Sequence, residues 1–191
     1  MSAAPRDPTA PGTASGARPP AWAILGTVLL APLFAGTLAG YVPWRLADGR
    51  LHPPLFPLAR GVGAALMMLA VPGLLSFLIR IVVEGHGTPA PFAAPRRLVT
   101  GGWFARVRNP GYLSLVIAIV GLGLVLGSLA VLGYAAVVAL IAHLFVVLHE
   151  EPSLRRHFGA DYERYRREVP RWLPRLGGRT SSETPSGAPR A

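Results

Sequence analysis

The sequence predicts an all-α integral membrane protein with about four transmembrane helices. The last two helices form a C-terminal hairpin, and a cytoplasmic amphipathic helix follows it. Hydrophobic residues make up 51% of the chain, and long runs without charge occupy 22–43, 61–79 and 109–148. Arginines flank these runs and do not interrupt them. About 20 apolar residues cross the hydrocarbon core of a bilayer, so each run is long enough for at least one span.

The first two spans are single apolar runs. Residues 22–43 read "WAILGTVLLAPLFAGTLAGYVP", and residues 61–79 read "GVGAALMMLAVPGLLSFLI" and are followed by an arginine. Two GxxxG patterns, Gly36–Gly40 and Gly123–Gly127, lie within apolar runs. They could permit close helix packing, or they could reflect small residues scattered through glycine-rich helices, and the two interpretations are equally good.

The third uncharged run is too long for one span. As a single helix, residues 109–148 would measure about 60 Å, which is twice the roughly 30 Å thickness of the hydrocarbon core. We therefore expect the chain to turn back near Gly127-Ser128. This turn gives a helical hairpin with one span over about 112–126 and another over about 130–149.

The arginines indicate the orientation. They are concentrated before the third span and after the fourth, whereas the hairpin turn has none. By the positive-inside rule both arginine-rich regions are cytoplasmic, and so are both termini. The net charge of +10 suggests nucleic acid binding by itself, but arginines that flank apolar runs argue against it. Cysteine is absent, which excludes disulfides and thiolate metal sites, and we predict no metal site.

Outside the spans, composition predicts two disordered tails, 1–20 and 177–191, around a membrane domain over 21–176. The segment from 152 predicts an amphipathic helix, interrupted around Gly159 and ended by Pro170. Its apolar stripe, which we expect to contact the membrane or the protein, consists of Leu154, Phe158, Tyr162 and Tyr165.

The predicted hairpin brings two distant polar groups to one membrane face. Arg108, Asn109 and Tyr112 begin the third span, and His149, Glu150 and Glu151 end the fourth. Charges at such a depth are costly unless they are paired or bound to a polar ligand. Arginine suits a carboxylate or phosphate, the carboxylates suit ammonium or hydroxyl groups, and tyrosine offers an aromatic face. S-adenosylmethionine satisfies this set, and a structural arginine–glutamate clamp satisfies it equally.

Two stretches carry a family resemblance. "EGHGTPAPFAAPRRLVTGGWFARVRNPGY" and "HEEPSLRRHFGADYERYRREVPRWLP" together resemble the integral-membrane isoprenylcysteine carboxyl methyltransferase and phospholipid methyltransferase family. The resemblance covers roughly 84–174 and implies that this part binds S-adenosylmethionine at the cytoplasmic face. The residues that it implies for cofactor binding are Arg108, Asn109, Pro110 and Tyr112 in the first element and Glu150 and Glu151 in the second.

The resemblance also implies a reaction, which is methyl transfer to a lipophilic acceptor that enters from the bilayer. The acceptor is an isoprenylcysteine-type carboxylate or a phospholipid-type amine. Arg108 and Glu151 are the catalytic candidates: Arg108 would hold a carboxylate of the cofactor or substrate, and Glu151 would bind cofactor or orient the substrate. Glu150 would hold a cofactor ammonium or hydroxyl. Asn109 stands where the family often has histidine, and asparagine cannot titrate.

Two alternatives belong to other functional classes. Steroid-reductase-like membrane enzymes, which use NADPH, share the Asn-Pro-x-Tyr element, but the Glu-Glu pair and the later Tyr-x-x-Tyr favour the methyltransferase. A non-enzymatic membrane scaffold would need no cofactor. The partners predicted for the methyltransferase are the lipid bilayer and a lipophilic or lipidated substrate, without nucleic acid. No feature of the sequence specifies an oligomeric state.

Overall fold

The protein is described by a computed structural model that covers residue 29, residues 33–83, residue 98 and residues 100–174. Both predicted tails and most of the first predicted span lie outside the described residues. For 76–83 only the backbone is described.

Within this part of the chain all regular structure is helical, which confirms the all-helical prediction there. Helix α1 combines a π-helical and an α-helical segment, and another π-helical segment joins α4 to α5. The bounds are Thr37–Tyr41 and Val42–Leu46 for α1, Ala59–Val83 for α2, Pro110–Leu126 for α3, Leu129–Phe145 for α4, Val146–Glu150 for the junction and Glu151–Glu168 for α5.

The helices are apolar enough for a membrane setting. The continuous helix Leu129–Glu168 contains an 18-residue window that is long and apolar enough to cross a bilayer. Two further apolar helices, Ala59–Leu75 within α2 and Pro110–Leu126, are shorter. That the chain crosses the membrane four times stays a prediction.

The hairpin turn lies where the sequence predicts it. Gly127 ends α3 with a φ of 69°, in the left-handed region that favours glycine. A Cβ atom here would also collide with the carbonyl oxygen of Pro53. Ser128 then caps α4, because its hydroxyl accepts a hydrogen bond from the Val131 amide at 3.4 Å.

The connection between α1 and α2 lies at the same end of the helices as this turn. The His52 amide donates to the Leu126 carbonyl at 2.8 Å, and the Arg60 guanidinium donates to the His52 carbonyl at 2.9 Å. The start of α3 and the end of α4 therefore lie together at the opposite end.

Helices α2 and α3 approach closely through small residues. A Cβ atom added to Gly121 would lie 2.7 Å from the Gly63 carbonyl oxygen, and one added to Gly73 would collide with the Ser114 hydroxyl. Of the two predicted GxxxG patterns, the second takes part in packing, because Gly123 faces α4. A Cβ atom added to Gly36 or Gly40 would meet no atom of the described residues within 4 Å. Small residues permit this close approach.

Helix α5 packs its apolar stripe against the protein. Buried Tyr162, Tyr165 and Val169 form a cluster, with Leu98, Leu154 and Phe158 against it. The backbone leaves helical geometry at Gly159, with a φ of 48° and a ψ of −121°, as the predicted interruption requires. The helix ends at Glu168, shortly before Pro170.

Candidate functional site

The two polar groups that the sequence predicts to meet are in contact. The Arg108 guanidinium donates through Nη1 to Glu151 Oε1 at 2.9 Å, across the open end of the hairpin. The two side chains are only 9% and 6% exposed. The hairpin therefore joins the start of α3 to the end of α4 through a buried ion pair.

Two further side chains complete this ion pair. Arg171 donates to both oxygens of Glu151, at 2.6 Å from Nε and 3.0 Å from Nη2. The Tyr162 hydroxyl accepts a second hydrogen bond from Arg108 Nη1 at 3.2 Å. We call Arg108, Glu151, Tyr162 and Arg171 the glutamate clamp. Both oxygens of Glu151 are occupied in it.

The clamp keeps Glu151 ionised. Burial alone raises the pKa of the Glu151 carboxyl, but the hydrogen bond from Arg171 and the charges of Arg108, Arg171 and Arg155 outweigh burial and hold that pKa below its usual value. The hydrogen bond to Glu151 likewise raises the pKa of Arg171. The pair therefore stays charged throughout the physiological range.

The chain after α5 returns over the clamp as a strap, residues 169–172. The Pro170 carbonyl accepts from the Arg108 amide at 2.9 Å, and the Arg171 carbonyl accepts from Asn109 Nδ2 at 3.2 Å. The Trp172 indole donates to His143 Nδ1 of α4 at 3.0 Å. The strap therefore ties α5 to both helices of the hairpin.

Asn109 and Pro110 contribute to structure at this point. Asn109 is 7% exposed, and its side-chain amide is the donor to the strap. An asparagine side chain donates this bond without titrating. Asparagine can therefore serve at this position, where the family often has histidine. Pro110 is buried at the first position of α3, where its fixed φ favours helix initiation.

Glu150 has surroundings unlike those of its neighbour. It ends the π-helical segment, in which backbone hydrogen bonds span five residues instead of four. Such segments often mark functional sites. Tyr112 of α3 is hydrogen bonded to its carboxylate through the side chain. Among the described residues, however, nothing donates to Glu150 Oε2, although this oxygen is buried. A buried carboxylate oxygen without a partner is costly, which makes Glu150 a candidate to accept hydrogen bonds from a ligand.

Three aromatic rings form a row that starts at Tyr112, the neighbour of Glu150. The Tyr112 and Phe145 ring centroids are 6.4 Å apart in an edge-to-face arrangement, and those of Phe145 and His149 are 5.1 Å apart. We call Tyr112, Phe145 and His149 the aromatic cluster. Such faces attract cations and stack on flat rings.

The clamp also leaves one donor unused. Arg108 Nε is buried and has no hydrogen-bond partner in the described part of the chain. Glu150 Oε2 and Arg108 Nε thus present one acceptor and one donor at the same end of the hairpin. Together they could hold the cationic and anionic groups of one ligand.

All six predicted site residues lie at this end of the hairpin, but their surroundings differ. Arg108 and Glu151 belong to the clamp, Asn109 and Pro110 hold the backbone, and Tyr112 and Glu150 contact each other. The sequence predicted Tyr162 only as part of the apolar stripe, and it placed His149 beside the glutamates without a chemical role. The Tyr-x-x-Tyr pattern among arginines was the available signal for Tyr162.

A comparison with protein-family models matches residues 58–161, more than half of the chain, to the phospholipid methyltransferase family. No curated protein and no solved structure matches the chain. The matched range includes the clamp residues Arg108 and Glu151 and ends before the strap. This match confirms the family resemblance of the sequence and supports methyltransferase-type activity and membrane association. The chain therefore belongs to the phospholipid methyltransferase family.

Proposed function

We propose that the protein transfers a methyl group from S-adenosylmethionine to a lipophilic acceptor at the cytoplasmic membrane face. The acceptor classes are a phospholipid-type amine and an isoprenylcysteine-type carboxylate. The observation that carries this proposal is the buried Glu150 oxygen beside Tyr112, which has no hydrogen-bond partner among the described residues. A purely structural clamp would not need this second carboxylate, because Glu151 alone already pairs with both arginines.

The unpaired polar atoms fit the amino acid part of S-adenosylmethionine. Glu150 Oε2 would accept hydrogen bonds from its ammonium group, and Arg108 Nε would donate to its carboxylate. Tyr112 would line the cofactor pocket. Glu151 would act indirectly, since its two arginine partners fix the position of Arg108.

When it is bound, S-adenosylmethionine supplies an electrophilic methyl group on a sulfonium centre. The side chains of this protein would contribute binding and alignment. Glu150 and Arg108 fix the two ends of the amino acid group, and the strap covers the clamp. Alignment of reactants and exclusion of water are large sources of rate enhancement.

The outer surface of α4 supports a site at the membrane face. Large apolar side chains recur every three or four residues along α4 and the π-helical junction, and each is at least 46% exposed: Val137, Leu140, Ile141, Leu144 and Leu148. A stripe of this kind is costly in water and suits lipid. It leads along α4 to Glu150. We therefore propose a multi-pass protein with four spans, with both termini and the glutamate clamp on the cytoplasmic side.

Calorimetric titration of the detergent-purified protein tests this function. We expect saturable, micromolar binding of S-adenosylmethionine and none of NADPH. A screen for labelled methyl transfer into lipid extracts would then identify the acceptor. Binding of NADPH alone would favour the reductase alternative. Binding of neither ligand by a folded sample would leave a non-enzymatic scaffold and would overturn the proposal.

A further inference from the structure

We infer that His149 accepts the proton that an amine acceptor must lose before it can be methylated. The inference rests on the proposed function and concerns the amine acceptor class named there. It assigns a chemical role to a residue outside the predicted cofactor set.

The location of His149 carries the first part of the inference. The ring lies on the π-helical segment directly before Glu150, against Phe145 at a centroid distance of 5.1 Å. Phe145 in turn contacts Tyr112, which is hydrogen bonded to Glu150. His149 is therefore part of the same side-chain cluster as the proposed cofactor carboxylate.

The burial pattern places the two groups on different sides of this cluster. Glu150 Oε2 is buried, whereas the His149 side chain is exposed. The neighbouring Leu148 is 71% exposed and continues the apolar stripe of α4. An acceptor that arrives from the bilayer would therefore meet His149 before it meets Glu150.

In the described part of the chain, the imidazole of His149 differs from two other histidines in its hydrogen bonding. Of the other described histidines, His52 contacts the Ala47 carbonyl oxygen, and His143 accepts from Trp172. Among the residues that the structure describes, none is hydrogen bonded to the ring of His149. Imidazole is the side chain that most often takes up a proton at neutral pH in catalysis.

Other titratable groups lie on the elements around His149. Tyr112 faces the cluster from α3, and Glu150 follows His149 in the chain. In the first turn of α5, Glu151 is enclosed by the clamp, and Arg155 is paired with Glu163 at 3.1 Å. Glu150 is the direct chain neighbour of His149, and burial raises the pKa of its carboxyl.

The chemistry distinguishes the two acceptor classes. An alkylammonium headgroup has no lone pair, so one N–H bond must break, and His149 takes that proton. The nitrogen lone pair then forms the new N–CH₃ bond as the S–CH₃ bond of the sulfonium methyl donor breaks. The positive charge passes from sulfur to the methylated nitrogen, and His149 returns its proton to water. A carboxylate acceptor is already deprotonated and would not need His149.

The test compares His149→Gln with His157→Gln, a matched change on the exposed face of α5. The two acceptors are dioleoylphosphatidylethanolamine and N-acetyl-S-farnesylcysteine, each in detergent micelles with labelled S-adenosylmethionine. The wild type should methylate the amine. His149→Gln should lower that rate about 100-fold or more at neutral pH, as expected for loss of a general base.

Two further readouts separate a catalytic role from a structural one. The rate of His149→Gln should rise about tenfold per pH unit towards the wild-type rate, since the free amine becomes available from solution. Calorimetry should give the variant the wild-type affinity for S-adenosylmethionine, and His157→Gln should match the wild type in every assay.

Several results would overturn the inference. One is a His149→Gln variant whose amine methylation rate and pH profile equal those of the wild type. Another is a wild type that binds S-adenosylmethionine but methylates only the carboxylate or neither acceptor, in which case the proposed cofactor site survives. A wild type that does not bind S-adenosylmethionine would instead remove the proposed function and this inference with it.

Discussion

At the scale of single residues, the adjacent glutamates have different partners. Glu151 begins α5 and is held by Arg108 and Arg171. Glu150 ends the π-helical segment and meets Tyr112. Adjacent positions on a helix point about 100° apart, so one carboxylate can close the clamp while the other faces a ligand.

Glu151→Gln should destabilise the protein by roughly 3 kcal/mol, because it leaves the buried Arg108 and the partly buried Arg171 without their anion. Thermal unfolding in detergent measures this loss. Glu163→Gln is the matched control, since its carboxylate is partly exposed on α5 and its ion pairs lie at the surface. Equal unfolding temperatures for the two variants would contradict the buried clamp.

The stabilisation by Glu151 should also depend on pH. Its pKa lies below the usual value in the folded protein, so its contribution is fully present above the usual carboxyl pKa of about 4.3. It is lost as the pH falls through the lower folded-state pKa. The stability difference between wild type and Glu151→Gln should therefore shrink in acid below about pH 4. A difference that stays constant to pH 3 would be inconsistent with an ionised Glu151.

The sequence predicted that Arg108 would approach the glutamate pair, because a hairpin leaves the chain no other arrangement. It did not predict which glutamate would be paired. That choice depends on Arg171, which reaches Glu151 from the strap with a bidentate geometry. Such a contact between side chains depends on the return path of the chain after α5, and no spacing in the sequence specifies that path.

At the scale of helices, the apolar pattern predicted the hairpin and its turn, because an uncharged run of that length must fold back. The close approach of α2 and α3 was not predicted. This approach depends on the relative register of the two helices, which places Gly63 of α2 opposite Gly121 of α3. The GxxxG spacing describes only one helix. A Cβ atom added to Gly36 or Gly40 would meet no atom of the described residues within 4 Å, so the spacing also occurs where no helix approaches closely.

Gly121→Ala should weaken the packing of α2 on α3. The added methyl group would lie 2.7 Å from the Gly63 carbonyl oxygen, and backbone atoms cannot move aside cheaply. We expect a loss of about 1–3 kcal/mol in stability, measured by unfolding in detergent. Gly133→Ala on α4 is the control, because its Cβ atom would meet nothing within 4 Å and alanine favours helix. Two variants of equal stability would argue against the close contact.

At the scale of the whole molecule, the two ends of the helices differ. One end holds the 127–128 turn and the connection between α1 and α2, joined by the hydrogen bond from His52 to Leu126. The other end holds the glutamate clamp, the strap and α5. If the helices cross the membrane, these two ends face opposite sides.

Single cysteines can test this arrangement directly, because the natural chain contains none. Leu129→Cys lies at the hairpin turn and Arg156→Cys lies on α5, and both positions are exposed. A membrane-impermeant maleimide should label Leu129→Cys on intact cells and Arg156→Cys only after permeabilisation. Labelling of both positions from the same side would refute the proposed topology.

The central claim is that Glu150 holds the methyl donor. Its most direct test is calorimetric titration of S-adenosylmethionine into wild type, Glu150→Gln and Glu163→Gln. Loss of a charged hydrogen bond of about 1.5–3 kcal/mol should weaken binding by Glu150→Gln about 10- to 100-fold. The unfolding temperature should not fall, because Glu150 lies outside the clamp. Wild-type affinity in a folded Glu150→Gln would contradict the assignment and return both glutamates to a structural role.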